Sequence, residues 1–158
     1  MKPEYRAASP KDVEWISACE AEIFPDPWKK EDILDLISKD GAMCFVATLM
    51  GKPVSYVLGR KIAPEGEIYR VATKNEYRKN GYAHLLLNFL FEREEKNGIS
   101  ELYLEVRESN TAARNLYTGC GFVEISIRKN YYKSPSENAV IMKKDGLLEK
   151  TKNEDTCI

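Results

Sequence analysis

The chain has 158 residues, 43% hydrophobic and 31% charged, and its 24 Lys+Arg against 25 Asp+Glu leave a formal charge of −1. These values suit one domain with a sizeable core and exclude a collagen, a disordered tail protein and a disulfide-stapled mini-domain. So balanced a charge gives no bulk attraction to nucleic acid or to an anionic membrane, and neither is expected as a partner.

Tyr5-Arg6-Ala7 reads as a short first strand leading into Ser9-Pro10-Lys11-Asp12. That run carries an N-cap serine, a proline at the first helical position and an acid at the third, so a helix is predicted to start here. Val13, Ile16 and Ile23 supply its apolar stripe, and Phe24-Pro25-Asp26-Pro27-Trp28 ends it, because prolines cannot sit in a helix interior. A second helix follows, with Ile33, Leu34, Leu36 and Ile37 on one broad face. Residues 43–50 and 54–60 flank Gly51-Lys52-Pro53 as a hairpin, and 67–73 read as another strand. From Gly81 to Asn97, apolar residues at 82, 85, 86, 89 and 90 have the spacing of a core-facing helix. Leu102, Leu104 and Val106 alternate with Tyr103 and Glu105, the period of a strand. Ser109 is expected to cap a short helix through Tyr117, and 122–128 with 139–143 to close the fold as a hairpin around Tyr131-Tyr132 and Ser134-Pro135. The order describes an α/β (α+β) domain with a mixed sheet of about six or seven strands and about four helices. It covers residues 1–144, with 145–158 a polar, frayed tail.

No stretch approaches the ~18 apolar residues of a membrane span, and the N-terminal residues lack the apolar run of a signal peptide. Cys19, Cys44, Cys120 and Cys157 contain no CxxC pair, so they read as reduced thiols in a cytoplasmic protein. A single histidine, His84, rules out a histidine-rich metal site, and no metal is expected.

Two segments carry chemistry. The strand at 67–73 passes through Lys74-Asn75-Glu76-Tyr77 into Arg78-Lys79-Asn80-Gly81-Tyr82-Ala83 and then a helix. A helix N-terminus exposes unpaired N–H groups and the positive end of a dipole, which suits a phosphate; a plain strand–turn–helix with one glycine fits the same residues. No Gly-Lys-Ser/Thr follows, so this is not a Walker loop, and the three-glycine dinucleotide fingerprint is missing. The other segment is Leu104-Glu105-Val106-Arg107-Glu108-Ser109-Asn110-Thr111-Ala112-Ala113, followed by Leu116-Tyr117 and Gly119-Cys120-Gly121-Phe122. Glu105 points away from the apolar face of its strand. It reads either as a general base or as an edge glutamate in solvent or paired with Arg107. Tyr117 reads as an aromatic packing the helix on the sheet, as a phenol able to donate a proton, or both. No base is visible beside Cys120, which favours a buried structural thiol.

Together these segments resemble the GNAT N-acetyltransferases, and most closely the RimI-type ribosomal-protein-alanine N-acetyltransferases. Phe24-Pro25-Asp26-Pro27-Trp28, Glu67-Ile68 and Ile127-Arg128-Lys129-Asn130-Tyr131-Tyr132 fit that narrower group, and the likeness spans about residues 4–143. The resemblance implies a GNAT fold and acetyl-CoA as donor. Val71, Ala72 and Thr73 would present backbone to the pantetheine arm. Arg78, Lys79, Asn80, Gly81, Tyr82, Ala83 and His84 would cradle the diphosphate, and Asn110 would hydrogen-bond the cofactor. Glu105 would be the base and Tyr117 the acid. Phe24, Tyr131 and Tyr132 would flank the acceptor, a protein N-terminus beginning with alanine, in a ribosomal protein. Arg70 and Thr73 depart from the family's usual apolar residues, and Ala83 stands where glycine is common. A peptide α-amine has a pKa of about 7.7–8.0 against about 10.4 for lysine, so neutralising it near pH 7 costs only about 1 kcal/mol. A single carboxylate can manage that without extreme tuning. Acetylation of a small-molecule amine or lysine, and a non-catalytic acyl-CoA-binding module, are the alternatives.

Overall fold

The structure, a computed structural model, describes residues 2–148. Seven strands form one mixed sheet in the order β1-β2-β3-β4-β5-β7-β6. They are β1 (Glu4–Ala7), β2 (Phe45–Leu49), β3 (Lys52–Ile62), β4 (Glu65–Thr73), β5 (Glu101–Arg107), β6 (Val123–Tyr132) and β7 (Glu137–Asp145). The helices are α1 (Val13–Ile23), α2 (Lys30–Ser38), α3 (Tyr82–Lys96) and α4 (Thr111–Gly119). The α/β architecture expected from the order of elements is the one observed.

Two apolar clusters cover the two faces of the sheet. Leu86, Leu87, Leu90 and Phe91 of α3 and Tyr117 of α4 pack with Ile68, Leu102, Leu104 and Val106 on one side. Val13, Ile16 and Cys19 of α1 and Ile33 and Leu36 of α2 pack with Val46, Tyr56 and Ala72 on the other. Each Val, Leu, Ile or Phe side chain so buried contributes on the order of 1.5–3 kcal/mol.

Several local expectations are corrected. The stripe on α3 is rotated: Leu85 is exposed, whereas Leu87 and Phe91 are inside. Leu34 of α2 likewise faces solvent, since nine residues bury only the Ile33/Leu36 edge. The cap of α4 is Asn110 rather than Ser109, its Oδ1 accepting from Ala113 N–H at 3.1 Å. The proline-led start is a single 3-10 turn, Pro10–Asp12, in which the Asp12 carboxylate accepts from Ser9 N–H at 2.8 Å and from both arms of Arg6. Of the tail expected from residue 145, Leu147 is buried in the core, and residues 149–158, with Cys157, lie outside the described residues.

One irregularity shapes the centre of the sheet. In the β3–β4 ladder Leu58 pairs with Arg70 but Gly59 pairs with Ile68, so Tyr69 is an extra residue in a bulge. Gly59 permits it, because a Cβ there would meet the Glu67 carbonyl oxygen at 2.6 Å. Such a bulge bends its strand and increases the local twist.

Candidate active site

β4 and β5 lie parallel and pair only over Glu65–Ile68 with Glu101–Leu104. Beyond the bulge both strands continue, to Thr73 and Arg107, but the ladder between them has stopped. Backbone groups are therefore exposed along a wedge in the middle of the sheet, and unsatisfied groups of this kind are a binding surface. A cleft of about 290 Å³ opens there, lined by Phe24, Asp26, Arg70, Val71, Arg78, Glu105, Arg107, Asn110, Tyr117 and Tyr132, among others. Wider grooves exist, such as one of about 660 Å³ around the β3–β4 turn, but the small cleft is where strand backbone, the carboxyl groups of Asp26 and Glu105 and the phenols of Tyr69, Tyr117 and Tyr132 converge.

Glu105 reaches this face because β5 alternates strictly: Leu102, Leu104 and Val106 are buried below, and Tyr103, Glu105 and Arg107 stand on the opposite side. Its carboxylate pairs with Arg128 at 3.3 Å, and the Glu105 side chain is 22% exposed. Arg107, expected as an alternative partner, lies instead toward the Pro135 carbonyl at 3.2 Å and Glu137 at 3.9 Å, with its Cζ 4.3 Å over the Tyr132 ring. Its Nη2 is buried without a hydrogen-bond partner among the described residues. Tyr117 packs edge-on against Phe122 while lining the cleft, so a packing ring and a cleft-facing residue coexist. Burial pushes the Tyr117 phenol well above its ordinary value, with nearby Arg70 opposing the shift, so the group stays protonated throughout the neutral range. Burial, then the Glu105 charge, raises Tyr132 to about 12. Tyr131, half exposed at the rim, is raised by hydrogen bonding to the Glu105 carboxylate. Burial first and Glu105 second also push up the carboxyl of Glu67.

The cleft runs toward the start of α3. Gly81 is the N-cap at φ +77°, a left-handed conformation that glycine adopts without strain, and no side chain caps the helix. The first-turn N–H groups of Tyr82, Ala83 and His84 thus have no intrahelical acceptor. Arg78 sits between this turn and the strand, its Nε 3.4 Å from the Thr73 carbonyl oxygen. Asn80 folds back onto the carbonyls of Tyr77 and Arg78, fixing the loop, and Lys79 has φ +66°. An uncapped N-terminus with basic residues before it suits an anion such as a diphosphate.

Of the residues singled out from sequence, Phe24, Val71, Arg78, Glu105, Asn110, Tyr117 and Tyr132 line the one cleft. Ala72 and Thr73 are buried beside it, their strand side held by Ser55, whose Oγ donates to the Ala72 carbonyl at 2.8 Å. Lys79, Asn80, Gly81, Tyr82 and Ala83 form the turn into α3. His84 lies with Nδ1 3.3 Å from Cys120 Sγ, so a base does stand beside that thiol, contrary to expectation. Sequence reasoning missed Asp26, Arg107 and Arg128 as members of the site and saw Arg70 only as a departure from a pattern. Their partners lie 23 to 50 residues away along the chain, and although Asp26, Arg107 and Arg128 all stand inside quoted motifs, nothing in those motifs showed which contacts they make. Among the described residues no group of three or more His, Cys, Asp or Glu is placed to hold a metal ion.

The Acetyltransferase (GNAT) family model matches residues 12–122. A [ribosomal protein bS18]-alanine N-acetyltransferase of Haemophilus ducreyi is 37% identical over 121 residues, covering 73% of this chain and 81% of that protein. A putative enzyme of the same name from Bacillus subtilis is 31% identical over 133 residues, covering 84% and 88%. Among solved structures, the ribosomal-protein-S18-alanine N-acetyltransferase of Escherichia coli superposes with a TM-score of 0.86 at 27% identity, over 96% of this chain and 98% of that one. Ard1 from Thermoplasma volcanium also reaches 0.86, at 28% identity over 94% and 100%.

Proposed function

The chain belongs to the GNAT acetyltransferase family, and from that premise we propose that it carries an acetyl group from acetyl-CoA to the N-terminal α-amine of a protein. The acceptor its relatives' names point to is the alanine that begins ribosomal protein bS18. The observation that carries this reading is the meeting of Glu105 and Tyr117 in one cleft where β4 and β5 part.

Acetyl-CoA supplies the activated acetyl thioester. The residues present fit it. The uncapped first turn of α3, with Arg78 and Lys79 before it, would hold the diphosphate through backbone N–H groups, and Asn110, whose Oδ1 is spent on its own helix, keeps its amide N–H₂ for the donor. The strand at Val71, Ala72 and Thr73, paired with β3 but no longer with β5, would present its open edge to the pantetheine arm.

The chemistry then divides between two side chains. Glu105 takes the proton of the acceptor ammonium, directly or through a water, and Arg128 stands 3.3 Å from its carboxylate. The incoming ammonium competes with that guanidinium for the same oxygens. Because Arg128 is 59% exposed, it swings into solvent at little cost. Tyr117 holds a proton at Oη for the departing sulfur, and its burial guarantees that the proton is there at neutral pH. Phe24 and Tyr132 wall the slot, with Tyr131 at its rim, leaving room for a small first side chain.

The test is a panel of hexapeptides starting with free Ala, Ser, Met or Gly, together with an N-blocked lysine peptide and spermidine, incubated with the protein and acetyl-CoA. Product mass and released thiol should show acetylation confined to α-amines, alanine first. Turnover of spermidine or the lysine peptide without α-amine turnover would assign a different acceptor class.

A further inference from the structure

Arg70 stands at the bulge of β4, and its side chain makes polar contacts in two directions and covers an aromatic ring. Nε donates to Glu20 Oε1 at 3.0 Å, and Nη2 donates to the Asp26 carbonyl at 2.6 Å with Asp26 Oδ1 at 3.3 Å. The guanidinium carbon lies 3.8 Å from the centre of the Phe24 ring. Glu20, fully buried on α1, also accepts from Trp28 N–H at 3.1 Å and from the Tyr56 hydroxyl. One buried carboxylate and one guanidinium therefore grip the 24–28 loop at its start, middle and end. That loop has two prolines and makes no regular backbone ladder; its other ties to the sheet are apolar, with Phe24 and Trp28 packed on the core and the Trp28 ring 5.7 Å from that of Tyr69. It is also one wall of the cleft that holds Glu105.

We propose that Arg70 is a positioning residue for the acceptor: by pinning Phe24 and Asp26 to the bulge of β4 it sets the distance between the 24–28 wall and Glu105, and so the affinity for the incoming chain. This rests on the acetyl-transfer reading and adds to it the residue that shapes the acceptor side. Arg70 acts through the loop, whereas the acetyl-CoA side, built from α3 and the far end of β4, is anchored independently. The planar fork is what makes the grip, since it bonds in two directions while its face covers an aromatic ring, and a lysine has only a point charge to offer.

The experiment compares the parent with Arg70→Met, Arg70→Lys and Phe24→Leu. Three quantities are read with an alanine-starting peptide: its KM, the KM for acetyl-CoA, and kcat. In addition, hydrogen exchange of the 24–28 amides is followed in the protein alone. For Arg70→Met the peptide KM should rise about tenfold or more, with the acetyl-CoA KM within about threefold; any change in kcat reports the lost charge near Tyr117. The Trp28 amide, now held by a carboxylate that has lost its partner, should exchange at least about tenfold faster. Arg70→Lys should fall between, and Phe24→Leu, which leaves the buried ion pair intact, should raise the peptide KM with less change in exchange. If Arg70→Met does not fold, the two milder variants decide the matter. Parent-like peptide KM and loop exchange would overturn the proposal, as would an equal loss on the acetyl-CoA side. Should the parent itself fail to acetylate any α-amine, the acetyl-transfer reading falls. The exchange comparison then judges Arg70 alone, with unchanged protection refuting the anchor.

Discussion

Glu105→Gln separates the chemistry from the scaffold. The side chain keeps its shape, loses its charge and can no longer accept a proton. Its partner Arg128 is 59% exposed and returns to water, so an ion pair worth about 0–1 kcal/mol is all the fold loses. Catalysis should lose far more. An α-amine with a pKa of about 7.7–8.0 is about 9–17% neutral at pH 7 and about 91–95% neutral at pH 9. A positioned general base contributes about 10²–10⁴-fold. In a coupled thiol-release assay with an alanine-starting peptide, kcat/KM should therefore fall about 100-fold or more at pH 7, equivalent to about 2.7 kcal/mol of barrier. Roughly six- to tenfold of the deficit should return by pH 9, because the solvent has by then performed the first deprotonation. The KM for acetyl-CoA and the melting temperature should stay near those of the parent. A variant within twofold of the parent at pH 7 would refute the assignment, and so would a loss matched by an equal loss of acetyl-CoA affinity.

Tyr117→Phe keeps the ring against Phe122 and removes the proton donor, so kcat should fall by about 10²-fold while thermal stability holds. Because burial raises that phenol, the parent's activity should show no downward limb from it between about pH 8 and about pH 10, and a limb that vanishes in the variant would contradict this. Asp12 is held below its ordinary value: burial works to raise it, but hydrogen bonds from Arg6 and Ser9 prevail. Such a depressed carboxylate contributes fully above the unfolded value of about 3.9 and loses its contribution as the pH falls through the folded one. Asp12→Asn should accordingly cost about 1–3 kcal/mol in urea melts at pH 7, and the gap to the parent should narrow below about pH 4; a constant gap would count against the linkage. Gly59→Ala places a Cβ 2.6 Å from the Glu67 carbonyl oxygen and 2.9 Å from Met43 Cε, so about 1–3 kcal/mol of overpacking is expected by denaturation. Parent-like stability would mean that the bulge does not depend on the missing side chain.

Local periodicity was legible wherever one face of an element is buried. The alternation of residues 101–107 revealed both the strand and the direction of Glu105, and the 3/4 spacing after Gly81 revealed α3, though one step out of phase because Tyr82 and Leu85 mimic the stripe that Leu87 and Phe91 occupy. The uncapped turn at Gly81 was visible because it is a matter of consecutive residues. What escaped is contact across sequence distance. Glu20 and Arg70 are 50 residues apart and meet only because α1 lies on the sheet face that the bulge turns Arg70 toward. The bulge itself writes no period, since one extra residue opposite a glycine looks like any other stretch of strand. Arg128 is reached from Glu105 only through the β7 register.

The gap between β4 and β5 has a mechanical side as well. Four residue pairs are the whole ladder joining β1–β4 to β5–β7, so the empty protein is two sub-sheets held by a short seam and by helices laid across it. On the proposed reading, a donor lying in the wedge would act as a splint between them, and its binding free energy would become cohesion. At a hundred times its dissociation constant it adds about 2.7 kcal/mol to the folded state. Amides around residues 69–73 and 105–107 should then be the first to gain protection, so occupancy of this enzyme can be read from how firmly its two halves unfold as one.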